Sequence, residues 1–207
     1  MQVALFIATG LSAVANWWSR WRDSDRLEAW SKPLTTILVI GVALASGAPR
    51  SQIIVAVVAL ALCLAGDVAL MPAIDKFVVG LASFLLGHVV FIVLFAQYGM
   101  DHAVLGAVAL VGAVVLAATA GRRIVQGASA QDAALRIPVL AYLAVISSMA
   151  VCGWATGKPW VISGSALFVL SDSLLGWRQF VREHSWMAVA VMVTYHGAIA
   201  SLALSLY

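Results

Sequence analysis

The chain has 207 residues, of which 63% are hydrophobic and only 10% are charged, and its mean hydropathy is +1.02. A soluble domain of this size cannot bury so much apolar surface, so the composition is typical of an integral membrane protein. The net charge of +3 is small and dispersed, which gives no indication of a nucleic-acid partner. The two cysteines lie within apolar runs and predict no disulfide framework.

Eight apolar segments approach the roughly 20 residues that a membrane-spanning helix needs. They cover residues 2–18, 32–48, 51–71, 76–98, 103–120, 136–156, 160–180 and 186–206. Tryptophans mark many of the boundaries, as expected for indoles at the level of the lipid headgroups. The sequence therefore predicts an all-α, polytopic membrane helical bundle with eight transmembrane helices, in a single domain over residues 1–207.

The positive charges predict the orientation of this bundle. Of the twelve Lys and Arg residues, only Arg50 and Lys158 fall at even-numbered connections between the predicted spans. By the positive-inside rule the odd-numbered connections are cytoplasmic, with both termini outside, and we expect a bacterial inner membrane. The longest connections are residues 19–31, expected as an amphipathic segment along the interface, and 121–135, expected as a surface loop.

Two carboxylates interrupt the apolar segments, Asp67 in the third span and Asp172 in the seventh. Both spans run in the same direction, so the two acids are expected at similar depth and could share one polar pocket. The similar surroundings, AGDVAL and LSDSLL, suggest two parallel four-helix halves. A carboxylate at bilayer depth costs about 2.5 to 3.5 kcal/mol on insertion scales, so such residues usually line a pathway or a site. Two close carboxylates do not both ionise readily, which predicts one neutral acid and one ionised base.

Simpler interpretations exist for each acid. Asp67 could reach water at the interface, and Asp172 could make a structural hydrogen bond to a neighbouring helix. The sequence offers no HExxH motif or other close-spaced ligand pair, so neither a metal nor a cofactor is predicted.

Further polar side chains fall at or inside the predicted spans and are candidates for substrate binding. They are Lys32, His88, Tyr142, Tyr195 and His196. Lys32 could hold a phosphate or simply anchor the second span at the interface, and the others could be hydrogen-bonded core residues. His88 follows a small-residue stripe of Gly80, Ser83 and Gly87, which is expected to let a neighbouring helix approach closely.

Four motifs, in this order along the chain, together resemble a known family. They are Lys32-Pro33-Leu34, Gly66-Asp67-Val68, Gly80-Leu81…Phe84…Gly87-His88, and Gly164…Ala166-Leu167-Phe168…Leu170-Ser171-Asp172-Ser173. The set, which spans the second to the eighth helix, resembles the YhhN/TMEM86 family. Characterised members are lysoplasmalogenases, which hydrolyse the vinyl ether of lysoplasmalogens to a fatty aldehyde and a glycerophospho-ethanolamine or -choline. The resemblance implies a lysophospholipid substrate taken from the bilayer, with Asp67 and Asp172 as the catalytic pair.

Two other functions stay open on the sequence. A proton-coupled transporter or channel would use the same two acids as a relay along a water path. A non-catalytic lipid-binding protein would use them only to brace the bundle. A pocket open to one side or to lipid favours the enzyme, whereas a route that reaches both faces favours transport.

Overall fold

The computed structural model describes residues 2–207, and all of the regular structure in that range is helical. The α-helices are α1 (Gln2–Trp21), α2 (Asp25–Leu44), α3 (Arg50–Ala69), α4 (Phe77–Tyr98), α5 (Ala103–Leu116), α6 (Arg122–Gln131), α7 (Arg136–Ala155), α8 (Pro159–Phe180) and α9 (Met187–Leu204). A π-helical turn, Ala117–Gly121, joins α5 to α6 without a break, and a 3₁₀ turn, Ala133–Leu135, precedes α7. Short connections elsewhere make neighbouring helices antiparallel.

Seven units of this bundle are long and apolar enough to cross a bilayer: α2, α3, α4, the continuous α5–α6 helix, α7 with its 3₁₀ turn, α8 and α9. Helix α1 is not among them, although its 20 residues expose an apolar face that includes Val3, Ile7 and Leu11. The all-α polytopic membrane fold is therefore confirmed. The count of eight spans and the division into two parallel halves stay predictions.

The structure corrects both long connections. Residues 19–31 do not form a separate interfacial segment, because α1 continues to Trp21, α2 begins at Asp25, and only Arg22–Ser24 join them. Residues 121–135 are not a loop, because the fifth span continues as α6 to Gln131. The small residues there serve helix packing: a Cβ at Gly127 would lie 2.0 Å from the backbone oxygen of Phe180 in α8. Tertiary packing thus outweighs the loop-like composition.

We use the term basic end for the end of the bundle at which α1, α3, α6 and α8 finish and α2, α4, α7 and α9 begin. It carries most of the Lys and Arg residues, including Arg20, Lys32, Lys76 and Arg178. The positive-inside rule predicts that this end is cytoplasmic.

Helices α3 and α4 approach closely, from the middle of the bundle to the basic end, because glycines face the partner helix. A Cβ at Gly87 would lie 3.3 Å from the backbone oxygen of Ala59, and one at Gly80 would lie 2.6 Å from the side chain of Leu70. The small-residue packing predicted for the fourth span is therefore confirmed at these two positions.

We expect Gly66→Ala to destabilise the fold by about 1–3 kcal/mol, the usual cost of overpacking a core. The added Cβ would lie 2.5 Å from the ring of Phe84, which stands edge-on to Tyr195 with ring centroids 5.7 Å apart. Thermal unfolding of the purified protein in detergent measures the effect. Gly112→Ala is the matched control, because no atom lies within 4 Å of a Cβ there. Equal melting temperatures for the two variants would contradict the expected clash.

Candidate active site

A polar cavity of about 410 Å³ lies at the basic end of the bundle. Its wall is built from the last turns of α1, α3 and α8, the first turns of α2, and the N-terminal halves of α4 and α9. Both Asp67, near the end of α3, and Asp172, in the second half of α8, line it. The two intramembrane acids therefore share one cavity.

Asp67 is fully buried among groups that complement a carboxylate. The hydroxyl groups of Thr36 and Tyr195 both donate to its Oδ2, at 2.6 and 2.7 Å. The Nζ of Lys32 lies 3.7 Å from Oδ1, and Lys32 is only 4% exposed. A buried cation and two hydroxyl donors compensate a negative charge that would otherwise be very costly at this depth.

The local sequence of α2 explains how this shell forms. Lys32 and Thr36 are four residues apart, so they lie on the same face of the helix, one turn from each other. That face packs toward α3, where Asp67 is located, while Tyr195 reaches the same carboxylate from α9. The side chain of Asp67 thus connects α2, α3 and α9.

Asp172 has different partners. The hydroxyl of Tyr142 donates to its Oδ2, and the Nε2 of His88 lies 3.8 Å from the same oxygen. Across residues 2–207, no Lys or Arg side chain forms an ion pair with Asp172. Asp172 therefore shares the cavity with Asp67 but has no cation of its own.

His88 forms part of the apolar side of this arrangement. Its ring is fully buried and stands edge-on to Phe168 and Tyr142, with centroids 4.8 and 5.5 Å apart. Neither ring nitrogen has a hydrogen-bond partner within the described part of the chain. His88 lines neither of the two cavities beside Asp172, so it contacts the acid itself and not the open space.

The cavity does not pass through the bundle. The described residues that line it come from the basic end and from the helix segments leading to the two acids. Beyond the acids, the buried rings of Phe91, Phe95 and Phe168 fill the core. A small apolar cavity of about 40 Å³ also borders Asp172, on the side of α4, α6 and α7. The site is thus open at one end and has an apolar extension beside one acid.

Most of the candidate residues from the sequence come together at this site. Lys32 and Tyr195 contact Asp67, whereas Tyr142 and His88 contact Asp172. His196 does not join them. It borders a different cavity, where its Nδ1 accepts a hydrogen bond from the indole of Trp17 at 3.1 Å.

Some site residues are not evident from the sequence. Thr36 could have been identified from its position one turn after Lys32, but nothing in the sequence marks it as the partner of Asp67. The ion pairs Arg20–Glu28 and Arg178–Glu183 also line the cavity, and the second pair is the more exposed of the two. No group of three or more His, Cys, Asp or Glu side chains that could hold a metal ion occurs within residues 2–207.

The fold and the site together define a polytopic helical membrane protein with a one-sided intramembrane cavity that holds two acids. The chain belongs to the YhhN family, whose family model matches residues 27–206. The matched range runs from the third residue of α2 to beyond the end of α9, and it includes all the residues that contact Asp67 and Asp172. No curated protein and no solved structure matches the chain.

Proposed function

We propose that this protein is a lysoplasmalogenase-like hydrolase, which cleaves the vinyl-ether bond of lysoplasmalogens to a fatty aldehyde and a glycerophospho-ethanolamine or -choline. The observation that carries the proposal is that Asp67 and Asp172 line one cavity but have unlike partners. Membership in the YhhN family supports the hydrolase class.

The reaction begins with a proton transfer to carbon. Asp172, which has no cation partner, donates its proton to the carbon of the double bond that is not bonded to the ether oxygen. An oxocarbenium ion then forms at the other carbon, which is bonded to that oxygen. Asp67, which faces Lys32, is the ionised partner that stabilises this cation and takes a proton from the attacking water. These roles of general acid and base resemble those of the two carboxyl groups of glycosidases.

The second half of the reaction restores the starting protonation states of Asp67 and Asp172. The hemiacetal collapses: Asp67 returns its proton to the departing glycerol oxygen, and the hemiacetal hydroxyl gives its proton to Asp172. One water molecule is consumed, and one aldehyde and one alcohol are released.

The shape of the cavity suits a single-chain lipid with a zwitterionic headgroup. Two ion pairs, Arg20–Glu28 and Arg178–Glu183, line it, so a phosphate and an ammonium group could each find an opposite charge. Lys32, which lines the same cavity and faces Asp67, would lie between the phosphate and that acid in such an arrangement. Only the first carbons of the alkenyl chain would fit the small apolar cavity of about 40 Å³ that borders Asp172, so the rest of the chain would lie outside it.

A proton-coupled transporter is less well supported by the same geometry. Transport needs a path that reaches both faces of the membrane. The cavity instead ends below the buried aromatic rings of the core.

The test of the proposed function compares two substrates. The purified protein in detergent is incubated with a lysoplasmalogen and with the saturated 1-alkyl lysophospholipid of the same headgroup and chain length, and free aldehyde is measured by mass spectrometry. We expect aldehyde only from the vinyl ether, because a saturated ether cannot be protonated at carbon. No aldehyde from the lysoplasmalogen, with a folded protein, would overturn the proposal.

We expect Tyr142→Phe to lower kcat by roughly 2- to 10-fold, the usual weight of one hydrogen bond, with little change in KM. The variant keeps the ring but removes the hydroxyl that orients Asp172. Aldehyde release at several substrate concentrations separates kcat from KM. Tyr98→Phe is the control, because that hydroxyl bonds Ser205 at 3.0 Å at the opposite end of the bundle. Equal losses in the two variants would indicate a general structural effect instead.

A further inference from the structure

Another polar cavity lies at the basic end of the bundle, outside the candidate active site. Its volume is about 520 Å³, and it lies between the π-helical turn, α6 and α8. Arg122 and Arg123 line it together with Gln126 and Trp177, and its described lining includes no acid. None of these residues lines the cavity that holds the two intramembrane acids. The cavity is therefore a separate place that carries two positive charges.

The charges of these two arginines are not compensated by the chain. Across residues 2–207, neither Arg122 nor Arg123 forms an ion pair with an acid. The guanidinium carbon of Arg123 lies over the ring of Trp177, 5.7 Å from its centroid, which holds this side chain beside α8. A guanidinium above a ring keeps the N–H groups at its edge free, and these match the oxygens of a phosphate.

The π-helical turn sets the direction in which the two arginines point. The backbone N–H of Arg122 bonds the carbonyl of Ala117, five residues earlier. The extra residue in this turn rotates α6 by about 100° relative to an uninterrupted α-helix. In the resulting register Ile124 and Gly127 face α8, and the two arginines are left on the side of the cavity. Single π-helical turns of this kind are frequent at functional sites.

The depth of the cavity corresponds to the level of the lipid phosphates. The continuous α5–α6 helix begins at Ala103, and Arg122 follows after 19 residues, or about 28 Å at 1.5 Å per residue. That distance is close to the 30 Å of the hydrocarbon core. Trp177, in the last turn of α8, has the position of an interfacial tryptophan. Ala118 and Thr119 are exposed one turn closer to the bilayer interior, and their small side chains leave room for the glycerol of a lipid.

We propose that this cavity binds the phosphate of a glycerophospholipid whose headgroup has a net negative charge. Arg122 and Arg123 donate to the phosphate oxygens, and Gln126 supplies an amide donor beside them. Because the cavity holds two cations and no described acid, the ammonium group of a zwitterionic lipid finds no opposite charge there. The proposal is independent of the proposed hydrolysis, since the two cavities share no lining residue.

Native mass spectrometry tests the proposal. The purified protein in detergent is titrated with phosphatidylglycerol or with phosphatidylcholine of the same chains, and the apparent Kd of each lipid is measured. We expect the unaltered protein to bind phosphatidylglycerol roughly 10-fold more tightly, the usual weight of one charge-assisted hydrogen bond. This comparison needs no mutation, so it does not depend on how a variant folds.

Two double variants locate the site. Arg122→Gln/Arg123→Gln should lose the preference for phosphatidylglycerol. Arg136→Gln/Arg182→Gln should keep it, because this control removes the same charge from two exposed arginines of the basic end that do not line the cavity. Inorganic phosphate should not displace the bound lipid, because the glycerol also lies against the small residues of the π-helical turn. Equal binding of the two lipids, equal losses in the two double variants, or displacement by inorganic phosphate would overturn the proposal.

Discussion

Asp172→Asn is expected to reduce aldehyde release from lysoplasmalogen by about 10²- to 10⁴-fold, the usual contribution of a general acid. The amide has the size of the carboxyl group, and its oxygen can still accept the hydrogen bond from Tyr142, so the packing around it should persist. It cannot, however, deliver an acidic proton to the vinyl carbon. The ratio of kcat/KM values, measured through the aldehyde product, gives the effect.

The control for this variant carries the same chemical change in the same cavity. Asp75 lines the cavity near its mouth and has a φ of +47°, a conformation that Asn also tolerates. We expect Asp75→Asn to retain most of the activity. Near-normal turnover by Asp172→Asn in a folded protein would eliminate Asp172 as the acid.

Lys32→Met is expected to destabilise the protein by about 3–5 kcal/mol, because it leaves a buried carboxylate without its cation. The double variant Lys32→Met/Asp67→Asn removes both charges and should regain much of that stability while remaining inactive. Thermal unfolding and aldehyde release, measured on the same preparations, separate the structural role of the pair from its chemical role. Lys76→Met, at an exposed lysine of the basic end, is the control.

Two outcomes would contradict this interpretation of the pair. If the double variant is no more stable than Lys32→Met, Lys32 does not compensate the charge of Asp67. If the double variant hydrolyses lysoplasmalogen at the normal rate, Asp67 does not act as the base.

The unlike surroundings of the two acids explain how one cavity can hold both an acid and a base. Asp67 has Lys32 and two hydroxyl donors on its two oxygens. Asp172 has one hydroxyl donor, a buried imidazole and apolar walls. A negative charge is thus compensated at Asp67 but has no cation beside it at Asp172. This difference favours an ionised base at Asp67 and a protonated acid at Asp172, the pair that the proposed proton transfers require.

Much of this arrangement follows from the sequence by elementary arguments. Apolar length identifies the spans, and the cost of an intramembrane carboxylate singles out Asp67 and Asp172. Because two helices that run in the same direction bring equivalent residues to similar depth, a shared pocket could be predicted. The structure places both acids in one cavity.

The rest depends on which face of each helix meets a neighbour, which the packing of the whole chain determines. Tyr195 and His196 are adjacent in sequence, yet they border two different cavities because successive residues point about 100° apart around a helix. The loop predicted for residues 121–135 failed for a related reason. Gly127 is required by the close approach of α6 to Phe180, and a glycine used for packing looks the same in a sequence as one used in a loop.

The most direct test of the two-acid mechanism is the deuterium content of the aldehyde formed in D₂O. Protonation of the vinyl carbon by Asp172 must place one solvent deuterium on the carbon next to the aldehyde, and immediate reduction to the alcohol prevents later exchange. We predict a singly deuterated product from the unaltered protein and only background levels from Asp172→Asn and Asp67→Asn. Aldehyde without solvent deuterium, or an undiminished amount of deuterated product from either variant, would contradict the mechanism.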